Sequence, residues 1–296
     1  STYQYVVAAP EKTATGHNFF TSPNPPYGIK LSYYLGNSLL SKFEERQNDE
    51  SNKFNRGETI DYPSAKKLED EAKEKTPKIY LTISDSQGKV VRRISTNKNR
   101  GYHEKYWDLR TYSQRNVDDE NNYSGPLVPP GKYSVHIEKF EDDKLEKLTE
   151  AYSFDIIQIG SKSSQEDREK LYDFQLNFDE LVTLVNELVD EIDDAIDEVD
   201  GEINKSINTS SESNLASLNK KRGDIMDLKM ILTGTRSLNY ADVFSGSPPS
   251  VQRRLGNMGW ELYNTTSKPT KTHEMTYKIS KEKYEEVLRS FREIMN

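Results

Sequence analysis

The side chains able to do chemistry in this chain are carboxylates, histidines and tyrosines, because its 296 residues include no cysteine. Thiol nucleophiles, zinc ribbons, iron–sulfur clusters and disulfide frameworks are thereby excluded. The four histidines, His17, His103, His136 and His273, are scattered, and none forms a pair at metal-ligand spacing. The acidic run from Asp190 to Glu202 invites a calcium reading. With Gly201 set on the invariant glycine of a calcium loop, Ile196 and Ile207 fall where the first and last carboxylates belong, so the loop fails. No Gly-x-Ser-x-Gly elbow, phosphate-binding glycine loop or dinucleotide fingerprint is present. Ser84-Asp85-Ser86-Gln87-Gly88 has the start of an Asp-box but lacks its Trp, and Gly88 reads better as a hairpin turn. A glycosidase needs two positioned acids, and a chain with 49 Asp and Glu offers no way to nominate the pair. Catalytic residues, metal ligands and cofactors are therefore expected to be none.

Tyrosines remain. Tyr102, Tyr106, Tyr112 and Tyr123 surround Trp107 in what reads as a polar, loop-rich region. Exposed aromatic rings stack on sugars or anchor a protein partner, which makes these four the candidate binding residues. The competing reading, which is the preferred one and most of all for Trp107, places Trp107 and some of the tyrosines in a small core.

The elements that must hold these residues change character near residue 160. Before it the period is two: Ile29, Leu31, Tyr33 and Leu35 share one strand face, as do Ile79, Leu81 and Ile83. Asp85 to Gly88 turns the chain and Val90 to Ile94 returns. Pro129-Pro130-Gly131 opens a strand carrying Tyr133, Val135 and Ile137; Glu141 to Lys144 forms a charged turn, and Tyr152, Phe154 and Ile156 come back. Short antiparallel strands at this spacing predict a sandwich. Residues 41–76, half of them charged, read as a solvated insertion with one short helix near Pro63 to Lys75.

After Gly160 the period becomes helical. Ser163-Ser164-Gln165-Glu166 has the Ser-x-x-Glu form of a capping box. Phe174, Phe178, Leu181, Val185, Leu188, Ile192, Ala195 and Val199 then follow in alternating steps of four and three, a coiled-coil-like seam on a long helix. Further helices are predicted over Glu212 to Leu232, after Pro248-Pro249-Ser250, and around Tyr284 to Ile294. The expected fold is thus multidomain β plus α: an antiparallel β-sandwich over residues 1–160 and an antiparallel helical bundle over 161–296. The seam could instead pair between chains.

Charge follows the same division. Residues 161–207 hold fifteen acidic and four basic side chains, so the net −8 of the chain belongs to that segment. With a pI near 5.3, nucleic acid is not an expected partner. No apolar run reaches membrane-spanning length. The N-terminus lacks a signal pattern and reads as the start of a mature protein or a fragment.

Several segments together resemble a known arrangement. Ile79 to Arg92, IYLTISDSQGKVVR, is similar to the I-x-D-x-x-G-x-V-V-R hairpin of Ig-like domains related to the flagellar hook-capping protein. Tyr106-Trp107-Asp108-Leu109-Arg110 and Val128-Pro129-Pro130-Gly131-Lys132-Tyr133 follow in the expected order. Upstream, NFFTSPNPPYG at Asn18 to Gly28 leads into Leu31 to Leu35. That string resembles the C-terminal region of large bacterial proteins with sortilin-like, BNR-type β-propellers, often labelled glycosyl hydrolases. The resemblance covers about residues 16–160. It implies an Ig-like sandwich after a propeller, a helical tail, and a secreted or bacterial cell-envelope location. It also implies that this chain is the C-terminal piece of something longer. No propeller repeat is present, so no catalytic residue carries over. Gly88, Trp107, Asp108, Pro130 and Gly131 are matched as structural motif residues. The implied function is a non-catalytic interaction module that contacts the upstream propeller or another envelope protein, with a carbohydrate-binding accessory unit of a secreted glycosyl hydrolase as the alternative.

Overall fold

The computed structural model describes residues 28–112, 124–160, 163–208, 212–235 and 249–296. His17, the Asn18 to Tyr27 string, Tyr123 and Pro248 lie outside the described residues. The chain is mixed, about 53% helical, with six helices and antiparallel sheets, none of them closed, among the described residues. Two compact units form. One takes the described residues up to Tyr112 together with Pro130–Gln158; the other takes the described residues of Ser113–Pro129 and of Ile159–Asn296.

In the first unit β1 (Ile29–Leu35) pairs antiparallel with β4 (Gly101–Trp107). A larger sheet runs β3 (Val90–Thr96), β2 (Lys78–Asp85), β7 (Gly131–Glu141), β8 (Lys144–Lys147), and β9 (Tyr152–Ile156) also pairs with β7. The alternation in β1 buries Tyr33 and Leu35, which pack with Leu31 against Ile79, Leu81, Ile94, Val135 and Ile137. Each such side chain contributes about 1.5–3 kcal/mol on leaving water. The β2–β3 turn is made by Asp85, whose Oδ1 accepts from the backbone N–H groups of Gln87 and Lys89, both at 2.9 Å. Gly88 there has φ +81°, a conformation that suits glycine.

Two expectations for this unit need correction. The stretch before Trp107 is strand β4, not loop. Its inward positions are Gly101, His103 and Lys105, while Tyr102 and Tyr106 point outward, so the apolar alternation that marks a strand is missing from the inward row. The strand paired with the end of β7 is β8, through Phe140↔Leu145, whereas β9 takes the other half through Gly131↔Ile156. Asp142 and Asp143, at φ +48° and +60°, make the tight turn that permits this. Tyr152 is consequently exposed, and Phe154 alone of the β9 aromatics packs inward. Gly131 opens the strand as expected: it is the first residue of β7 and has no positive φ. Pro130 precedes it, half-buried.

Residues 41–76 hold two helices where one was expected: α1 (Lys42–Asn55) and α2 (Ala65–Lys73). α1 buries no residue, so no apolar stripe announces it. A capping box between Ser41 and Glu44 starts it, and Arg46 grips Glu71 of α2 with two hydrogen bonds of 2.7 and 2.9 Å. The two ends of the segment meet. The Lys42 backbone N–H donates to Glu74 Oε2 at 2.8 Å, and Lys42 and Lys75 pair with Asp142 and Asp143 at the β7–β8 turn.

In the second unit α3 (Gln165–Asn208), α4 (Glu212–Thr233), α5 (Val251–Tyr263) and α6 (Lys271–Met295) enclose one apolar core. The cap of α3 is Ser164, one residue later than expected: its hydroxyl accepts from the Asp167 N–H at 3.1 Å, while Ser163 meets Thr266. The predicted α3 seam is buried from Phe178 to Val199, with Phe174 half-buried, and it packs against residues of α4, α5 and α6. It is therefore spent within the chain rather than presented to a second copy. Its acidic flank is partly neutralised in the same way. Asp193 pairs with Lys229, Asp200 with Arg222 at 2.6 Å, and Glu191 with Arg292 at 2.8 Å. Two buried polar contacts set α5 against α3: Gln175 donates to the Leu262 carbonyl at 2.8 Å, and the Tyr263 hydroxyl donates to Asp179. Among the described residues, no helix is long and apolar enough to cross a membrane.

Candidate binding face

The outward row of the β1–β4 ribbon gathers two of the four predicted tyrosines, Tyr102 and Tyr106. β1 contributes Lys30, Ser32 and Tyr34 because Ile29, Leu31, Tyr33 and Leu35 occupy the other face; β4 contributes Tyr102, Glu104 and Tyr106. The register places Tyr34 beside Tyr102, Ser32 beside Glu104 and Lys30 beside Tyr106. Tyr34 and Tyr102 are 63% and 62% exposed, and Tyr106 is 37% exposed. Four residues of strand separate Tyr102 from Tyr106, about 13 Å.

This face is held in place by its own polar groups. The Tyr102 hydroxyl lies 3.0 Å from Ser32 Oγ and donates to Glu104 Oε1 at 2.7 Å, and Lys30 Nζ donates to the same carboxylate at 2.9 Å. The Tyr102 hydroxyl and then Lys30 hold the Glu104 carboxyl below the usual carboxylate range, and Glu104 in turn raises Lys30. The row carries one positive and one negative charge and is neutral as a whole.

Beneath it, Tyr33 reaches Thr96 Oγ1 at 2.8 Å and donates to the Asn97 carbonyl at 2.9 Å, with the His103 ring 5.3 Å away. Burial pushes the Tyr33 phenol up. Trp107 closes the end of the ribbon with no exposed surface. Its Nε1 donates to the Arg110 carbonyl at 2.8 Å, and its ring meets Tyr133 and Phe154 edge-on at 6.0 and 6.2 Å. Asp108 accepts from the Arg110 N–H at 3.2 Å across Leu109, whose φ is +63°. Gly28 enters β1 at φ +123°, and a Cβ there would lie 2.0 Å from the Trp107 carbonyl oxygen. Tyr112 sits apart from the row on β5 (Arg110–Tyr112), 45% exposed. Tyr123 lies outside the described residues.

The structure thus joins Tyr102 and Tyr106 and adds Lys30, Ser32, Tyr34 and Glu104, which sequence reasoning passed over. The signal was present for β1, since the residues between Ile29, Leu31, Tyr33 and Leu35 must face outward.

A second polar cluster lies on the large sheet. Glu138 accepts from the Thr82 hydroxyl, from Arg93 Nε at 3.0 Å, and shares a 3.0 Å hydrogen bond with His136 Nε2. Burial works to raise the Glu138 carboxyl, but the bonds from Thr82, Arg93 and His136 outweigh it and hold it low. The Thr82 hydroxyl is committed to the carboxylate that would orient a base, so the cluster reads as a satisfied structural network. His273, also buried, completes the capping box that Thr270 begins at the start of α6, and it meets Glu261 at 2.9 Å. No group of three or more His, Asp or Glu is arranged to hold a metal ion among the described residues.

No protein-family model, no curated protein and no solved structure matches this chain.

Proposed function

We propose that this chain is a non-catalytic interaction module of a larger secreted or envelope β-propeller protein. In this reading the first unit is an Ig-like β-sandwich, the second an antiparallel helical bundle, and the tyrosine row is the contact with the propeller or another envelope protein. The observation that carries the reading is the row itself: three exposed tyrosines on one rigid, neutral strand face. A ring held by existing hydrogen bonds, as Tyr102 is, loses little freedom on binding, and tyrosine is enriched where partners meet. The YWDLR and VPPGKY segments and the Ile79 to Arg92 hairpin support the sandwich and its parentage.

The test is crosslinking of the intact chain to envelope proteins, compared with Tyr34→Ala/Tyr102→Ala/Tyr106→Ala. Loss of a specific crosslinked protein in the triple variant, with folding intact by circular dichroism, is expected. Hydrolysis of a glycan or peptide by the chain, abolished by changing one carboxylate, would overturn it.

A carbohydrate-binding role has its own support. Lys30, Glu104 and Ser32 place hydrogen-bonding groups directly between the rings, the combination a polyhydroxylated ligand uses. Glycan-array binding weakened by Tyr102→Ala or Tyr106→Ala is the expected result for that role, and an empty array rejects it.

A further inference from the structure

The helical unit carries a feature independent of the ribbon. Between α3 and α5 lies an open groove of about 280 Å³, walled by Phe178, Val182 and Asn186 on one side and Leu255, Gly256 and Trp260 on the other. That volume is at or below the lower end for small-molecule sites, roughly 300–1,000 Å³, but is of the size that receives side chains from a partner. Trp260 stands at its edge 75% exposed, while the other tryptophan of the chain, Trp107, is fully buried. An exposed Trp beside an apolar cleft is the residue type most enriched at the energetic centre of interfaces.

Charge specifies the partner. Asn186 continues along α3 into Asp190, Asp194 and Asp197, all exposed and none in an ion pair among the described residues. Their neighbours Asp193 and Asp200 are already neutralised by α4. Arg253 is exposed on α5, so the strip of α3 that runs on past the groove from Asn186, about 6 to 16 Å along the helix, holds three open carboxylates, with one guanidinium on the facing helix. We propose that this groove docks a lysine-rich amphipathic helix of a partner protein, its apolar side chains in the cleft beside Trp260 and its lysines along the Asp190–Asp197 row.

Gly256 supplies a clean block. A Cβ there would meet nothing within 4 Å, so leucine fits the α5 backbone, projects into the groove, and is the better helix former. The intact chain is titrated with a helical peptide of about 18 residues carrying Leu at i, i+3, i+4 and i+7 and Lys elsewhere. A second peptide carries Glu in place of Lys. The expected result is a blue shift of Trp260 emission with the Lys peptide alone, absent in Trp260→Phe, and binding about tenfold weaker in Gly256→Leu. Rising salt weakens it further. Unchanged binding in Gly256→Leu, equal binding of both peptides, or no shift with either overturns the proposal. So does a photocrosslinker at position 260 that, without peptide, reacts with residues 236–248 or with a second copy.

Discussion

Replacing Trp107 by alanine probes the packing that ends the ribbon. The indole has no exposed surface and buries roughly 200 Å², about 5 kcal/mol of transfer free energy at 25 cal/mol per Å². A compact denatured state already hides part of that area, which lowers the figure to about 3–4 kcal/mol. The Arg110 carbonyl, now lacking its Nε1 donor at 2.8 Å, adds about 1 kcal/mol. A total near 4 kcal/mol raises the exchange of core amides about a thousandfold, since every 1.4 kcal/mol is a factor of ten. Hydrogen–deuterium exchange read by mass spectrometry on peptides covering β4, β7 and β9 measures this directly. Trp107→Phe keeps a ring against Tyr133 and Phe154 but loses the donor, and is expected to cost about 1–2 kcal/mol. Less than a tenfold change in the alanine variant, or equal effects of the two substitutions, would refute the reasoning.

Two further outcomes follow from single contacts. Gly28→Ala forces a Cβ against the Trp107 carbonyl at a φ that disfavours side chains, so a loss of about 3 kcal/mol is expected by urea denaturation; wild-type stability would show that the entry to β1 shifts freely. The Glu138 carboxyl is held low in the folded state, so its contribution is present above the ordinary glutamate pKa and is lost as pH falls through the folded value. The urea midpoint should hold from pH 7 to 5 and decline below about pH 4.5, with a shallower decline in Glu138→Gln; identical slopes would remove Glu138 as a source.

What could be read from the chain beforehand depended on whether apolar side chains faced inward. β1, β2 and the α3 seam put them there in strict period, and those elements emerge where the spacing places them. β4 turns the half-buried Gly101, His103 and Lys105 inward while its tyrosines face solvent, and α1 is held by Arg46 and Glu71 rather than by a stripe. Both were misread for the same reason: their stabilising contacts are polar. The binding row was half legible, because Tyr102 and Tyr106 are conspicuous by type, whereas Tyr34 becomes a neighbour of Tyr102 only through a strand pairing across 68 residues of chain. The α3–α5 groove needs Gly256 and Val182 brought together by tertiary packing, and no local pattern announces that.

The paired feet of the 41–76 segment carry a last consequence. Lys42 and Lys75 clasp adjacent aspartates of one turn, and the Lys42 amide touches Glu74. Apart from the ion pair of Glu44 with Lys98 at 2.6 Å, everything between those feet is, to the strands on either side, equivalent to a short connector. Loop-closure entropy grows only slowly with length, so this is a port at which evolution, or an engineer, can splice in or excise whole helices without renegotiating the sheet. A tag, a fluorophore or a foreign domain placed there would ride on the molecule as α1 and α2 do now.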